Sequence, residues 1–166
     1  MKSVMTLAAL LLSTAVTAQD LRYSDQASQS CVDQAVTSEA KRACVGESAS
    51  VCIDATADGS TTIGMMQCLD NEHDYWDARL NRIYKQVQTD AKALDAEMAE
   101  IGSSAPKTAP ALRDMQRAWI TYRDATCDFE LSQWGGGSGG GPAVLSCVLQ
   151  MTGAQAIYLE QIGLGG

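Results

Sequence analysis

Residues 66–101 read MQCLDNEHDYWDARLNRIYKQVQTDAKALDAEMAEI, and their spacing decides the fold. Met66, Leu69, His73, Trp76, Leu80, Ile83, Val87, Ala91, Leu94, Met98 and Ile101 follow one another at steps of three or four. That is one face of an α-helix, held for about five heptads. Asp70, Asp74, Arg79, Arg82, Lys85, Asp90, Lys92 and Glu97 fall between them as a solvated face. A lone helix cannot hide so long a stripe from water, so it requires partners.

One partner follows directly. Gly102 to Ala109, with Ser103, Ser104 and Pro106, is a turn-rich break, and Pro110 suits the first turn of a new helix. Leu112, Met115, Trp119, Tyr122, Thr126 and Phe129 repeat the helical step. The two stripes predict antiparallel helices packed face to face, with Trp76 and Trp119 as large anchors. Gly135 to Pro142 holds six glycines in seven residues before the proline. Each glycine costs a helix up to about 1 kcal/mol relative to Ala, which predicts a loop. Helical character resumes over Ala143 to Ile162, with Val144, Val148, Met151, Tyr158 and Ile162 expected inside.

Upstream signals are weaker. Ser60-Thr61-Thr62 can cap the long helix, and Gly46 to Thr62 reads as a small-residue connector. Ser28 to Val45 is weakly amphipathic, and residues 19–30 read as a loose polar leader. No strand-like alternation and no internal repeat is evident. The expectation is an all-α, disulfide-stapled antiparallel helical bundle, with one long central helix and a Gly-rich loop between the last two helices.

The first residues read as a secretory signal peptide over 1–18. Lys2 supplies the charge, Val4 to Leu12 the apolar core, and Val16-Thr17-Ala18 a small-residue cleavage site. That run is shorter than the roughly 18 residues a membrane span needs. Cleavage near Ala18 leaves 148 residues (19–166), a single-domain length with no membrane span expected in the mature form. Export to the periplasm or medium accords with six cysteines, an even set suited to complete oxidation. Cys127 falls just before the glycine loop and Cys147 just after it, so a bridge there ties the loop's base. Cys52 and Cys68 flank the connector, leaving Cys31 and Cys44 to each other; these last two pairs could exchange partners.

The full sequence carries 20 acidic residues, 12 Lys and Arg and a net charge of −8. Loss of Lys2 brings the mature chain to about −9. Nucleic-acid binding is excluded on that ground, because phosphates demand clustered Lys and Arg. A basic protein partner is allowed, since acidic surfaces steer one at low salt. No cofactor is expected. No Cys-x-x-Cys pair is present and His73 is the single histidine, so metal-type spacing is missing. Glu72 and Asp74 flank His73 but project to other faces of the helix, which denies it an orienting partner. Asp70, Asp74 and Asp77 are helical neighbours rather than carboxylates across a cleft, as glycoside hydrolysis requires. Neither a nucleophile elbow nor a phosphate loop occurs. Catalysis is not expected. The glycine segment, with Trp134, Gly136, Ser138 and Gly140, is instead a candidate finger for a partner, together with Asp70 and Asp74.

The run Gln116-Arg117-Ala118-Trp119-Ile120-Thr121-Tyr122-Arg123-Asp124, followed by Cys127, resembles the lysozyme-inhibitor LprI-like family of exported bacterial proteins. Cys68-Leu69, Glu72, Trp76-Asp77, Leu80-Asn81 and Tyr84 are similar to that family's first long helix. Cys31, Ala35, Glu39 and Cys44 match its N-terminal cysteine-bearing helix, and Cys147, Thr152 and Leu159 its closing one. The resemblance implies an all-helical, disulfide-bonded fold, and lysozyme inhibition in one branch. It gives Trp76, Tyr84, Arg117, Trp119, Tyr122, Arg123 and Asp124 structural roles, with Arg117 and Arg123 expected to meet Asp70, Asp74 or Asp77 across the helix pair. Cys52 and the long glycine loop depart from the pattern. The expected function is an exported envelope protein that inhibits a basic lysozyme by direct binding. The alternative is a periplasmic structural or stress-related interaction protein without lysozyme activity.

Overall fold

The computed structural model describes residues 21–162, so the expected signal peptide lies outside the described residues. Among the described residues six helices form: α1 Gln26–Gln34, α2 Ser38–Ala43, α3 Glu47–Asp54, α4 Thr62–Glu100, α5 Thr108–Ser132 and α6 Gly140–Glu160. No strand occurs among the described residues.

α4 starts where the hydroxyl run places it: the Thr61 hydroxyl accepts the Gly64 N–H at 3.0 Å. Its principal partner is α6, not α5. Met66 lies against Gly141 near both helix starts, and the Arg79 Nε–H donates to Glu160 at 2.7 Å near the end of α6. α4 and α6 therefore run parallel, with α5 antiparallel between them in the chain. The face-to-face α4–α5 pair expected from the stripes is only part of the packing. α5 begins beside the far end of α4, where the Asp95 carboxylate accepts the Thr108 and Ala109 N–H groups at 2.6 and 3.0 Å. Those bonds, with Lys107 nearby, hold the Asp95 carboxyl below its ordinary range.

Trp76, Leu149, Ala156, Ile157 and Leu159 are wholly buried, with Leu80 close behind. Each of the large ones contributes roughly 1.5–3 kcal/mol by leaving water. The stripe on α4 holds from Trp76 to Ala91 but is displaced by one residue before it. The buried positions there are Gly64, Cys68 and Glu72, because the Cys52–Cys68 bridge turns that face towards α3. α6 differs from expectation too. Leu149, Thr152, Gly153, Gln155, Ala156, Ile157 and Leu159 are inside, whereas Tyr158 is exposed. α4, α5 and α2 all contact α6, and it carries no charged residue before Glu160. It is the one described helix long and apolar enough to cross a membrane; here it serves as the central helix of the bundle.

The N-terminal third is more ordered than its composition indicates. Leu21 and Tyr23 already pack on the core, and α1 begins at Gln26, where a loose leader was expected. The connector contains α3, whose Ser48, Ala49 and Cys52 are buried. Cys31–Cys44, Cys52–Cys68 and Cys127–Cys147 are bridged, closing loops of 13, 16 and 20 residues. Each such closure is worth roughly 3 kcal/mol in the chain-entropy model.

Candidate functional site

Glu72 is the side chain around which the N-terminal helices assemble. It stands one turn after Cys68 and one turn before Trp76, on the α4 face turned to α3. It is wholly buried. Oε1 accepts the Ser28 hydroxyl at 2.6 Å, the Gly46 N–H at 2.8 Å and the Trp76 indole N–H at 3.0 Å. Oε2 accepts the Ala49 N–H at 2.6 Å. Gly46 is the N-cap of α3 and Ala49 lies in its first turn, so the carboxylate sits at that helix's N-terminus. Orphan N–H donors and the helix dipole both favour an anion there. Gly46 reaches this position with φ +100°, left-handed backbone that glycine adopts without strain.

Ser28 and Ser48 complete the knot. Each hydroxyl oxygen accepts the other residue's backbone N–H, at 2.9 and 3.0 Å. The Tyr23 hydroxyl is buried beside them near Ser48 but makes no hydrogen bond of good geometry. Burial, reinforced by the negative charge of Glu72, raises its phenol well above the ordinary range. Every acceptor on Glu72 is engaged by the protein's own donors and the group is closed to solvent. Its role is to fasten α1 and α3 to α4. Sequence reasoning named Glu72 as a neighbour of His73 and as part of the family-like run on the long helix, but gave it no role in holding the fold. The spacing of four from Cys68 to Glu72 to Trp76 was the available signal.

His73 is half-buried, and its Nε2 is sealed without a hydrogen-bond partner. Among the described residues no group of three or more His, Cys, Asp or Glu is placed to hold a metal.

One accessible apolar site lies where α4 and α6 begin and α5 ends. Ile63, Met66, Gln67, Asp70 and Leu145 line a shallow groove. Trp134 and Leu131 lie just beyond it, against Gly140, while Met66 touches Gly141. The glycine segment is a compact turn rather than a long finger, since α6 already starts at Gly140. Glycine is needed there for close approach: a Cβ on Gly139 would stand 2.2 Å from the Trp134 ring. Of the expected contact residues, Trp134, Gly136, Ser138, Asp70 and Asp74 are exposed, and Gly140 is buried beneath Leu131 and Trp134. The groove brings Asp70 to the same pole as Trp134, with Asp74 one turn further along α4.

The motif residues are spread along the bundle. Trp76 is wholly buried, Tyr84 and Trp119 are half-buried against the core, and Tyr122 is exposed. Arg123 does not cross to α4: it pairs with Asp124 at 2.7 Å and lies over the Trp119 ring at 5.1 Å. Arg117 is exposed and enters none of the ion pairs among the described residues. The ion pair that does cross helices joins Arg79 to Glu160, with Lys41 at 3.7 Å from the same carboxylate. Asp124 and Glu160 satisfy these arginines, and Asp70 and Asp74 enter none of the ion pairs among the described residues.

A small helical scaffold locked by three disulfides, with its buried carboxylate sealed, defines the class. Within that class the chain belongs to the LprI lysozyme inhibitor family, whose model, described as lysozyme inhibitor LprI, matches residues 52–159. It is similar to an uncharacterized 17.7 kDa protein in the puhA 5' region of Rhodobacter capsulatus, 28% identical over 136 residues, 81% of this chain and 83% of that one. It is also similar to an uncharacterized protein of Rhizobium meliloti strain 1021, 32% identical over 95 residues, 57% of this chain and 68% of that one. No solved structure matches the chain at a significant level.

Proposed function

We propose that this protein is exported, loses residues 1–18, and inhibits a basic lysozyme outside the cytoplasm by binding it. The family match over residues 52–159 is the observation that carries the reading. Three disulfides accord with an oxidising compartment. A net charge of −8 accords with a basic partner, which it would steer into encounter. Inhibition by binding is stoichiometric and needs no turnover by the inhibitor.

The test is clearance of a bacterial cell-wall suspension by a basic lysozyme in the presence of purified, oxidised protein. The lytic rate is expected to fall in proportion to added protein until the two are equimolar. An unchanged rate at micromolar excess would retire the proposal.

A further inference from the structure

We infer that the lysozyme docks on the pole where α4 and α6 begin, through an apolar patch built by two stretches that carry no Lys or Arg, an assignment that rests on the inhibitor reading above. Ile63, Met66, Leu131, Trp134 and Leu145 form the patch. Trp134 is 46% and Ile63 70% exposed, and Gly140 and Gly141 join the Trp134 side to the Met66 side. Solvent-facing Trp and Met at the centre of a patch are the side chains that most often anchor a protein interface.

Charge identifies the occupant. Residues 43–78 contain seven acidic residues and no Lys or Arg, and residues 124–166 contain four and again none. Both stretches that build the patch lie inside these limits. Eight of the chain's 12 basic residues fall between 79 and 123. Of those nearest in sequence, Arg79 is paired with Glu160 and Arg123 with Asp124, Arg42 lies in α2 beside Lys41, which reaches Glu160 at the far end of α6, and Arg22 lies off to the α3 side by Val51 and Cys52. Asp70 lines the groove itself and Asp74 extends the acidic rim. Basic residues at this rim would repel a cationic partner; their absence from both stretches leaves the apolar centre open to one and closed to an acidic protein.

Binding of a basic lysozyme to immobilised oxidised protein, at two salt concentrations, tests the assignment. Ile63→Lys and Trp134→Ala are each expected to weaken Kd at least tenfold. Asp70→Lys with Asp74→Lys is expected to slow association several-fold and flatten its salt dependence. Glu97→Lys with Glu100→Lys, at the far end of α4, is expected to leave Kd within twofold. Circular dichroism checks each fold, and Ile63→Lys guards against local disruption by the Trp134 change. If wild type binds and the patch variants bind equally well, the surface is wrong and the inhibitor reading survives. If wild type does not bind, both fall. Sedimentation showing self-association that Ile63→Lys abolishes would give the patch to a second copy and overturn the assignment.

Discussion

Replacing Glu72 is the most searching perturbation of this fold. Glu72→Gln keeps the side-chain volume and one carbonyl oxygen. That oxygen can still accept from Ser28, Gly46 and Trp76, but the new amide NH2 meets the Ala49 N–H donor to donor. Losing one charge-assisted bond and orphaning a buried N–H costs about 2–3 kcal/mol. Glu72→Ala orphans all four donors and opens a cavity, which raises the cost to about 5 kcal/mol or more. In a domain of this size each kcal/mol moves the thermal midpoint by roughly 2–4 °C. The Gln variant should therefore melt roughly 5–10 °C lower, measured by far-UV circular dichroism of oxidised protein and repeated with urea. Hydrogen exchange should show α1 and α3 opening first, since the lost contacts fasten them to α4. A Gln variant within about 0.5 kcal/mol of wild type would refute the reasoning.

Other expectations follow from the same geometry. Asp95 has a folded pKa below its unfolded value, so its contribution is present above the ordinary carboxylate range and is lost as pH falls through the folded value. The urea midpoint should drop on acidification, and Asp95→Ala should flatten part of that drop while fraying the start of α5 in hydrogen exchange. Tyr23 has the opposite linkage: with its phenol raised, stability is full below the unfolded value of about 10 and declines as pH rises beyond it. Tyr23→Phe should remove that alkaline decline, and in wild type one of the five tyrosines should resist ionisation at 295 nm until unfolding. Gly46→Ala forces a Cβ onto left-handed backbone and to 3.0 Å from the Gln150 amide nitrogen. It should cost about 1–2 kcal/mol in the urea midpoint. Removing the Cys127–Cys147 bridge by double Ser substitution should cost roughly 3 kcal/mol.

Much of this architecture was legible because long helices write their buried face as a period. Met66 to Ile101 and Leu112 to Phe129 yielded α4 and α5, and the cysteines flanking each connector are those bridged in the structure. Periodicity says that a helix has an inside, but not which neighbour covers it. The parallel α4–α6 contact was invisible for that reason, and α6, contacted on several sides, had no stripe to read. α3 was hidden because eight residues, six of them Ser, Ala, Val, Cys or Ile, carry little pattern, and its first turn is held by a carboxylate 23 residues downstream. The inward face of Glu72 was not read, because a carboxylate in an amphipathic helix ordinarily faces water; only the bridged Cys68 one turn earlier shows that it faces inward. Trp134, Asp70 and Asp74 were legible as exposed candidates, whereas Met66 and Ile63 beside them became visible only when α6 was seen to start at Gly140.

Native mass spectrometry of oxidised mature protein mixed with a basic lysozyme tests the account most directly. A discrete one-to-one complex, lost on Asp70→Lys with Ile63→Lys, is the predicted spectrum. Two proteins flying separately at every ratio would contradict it.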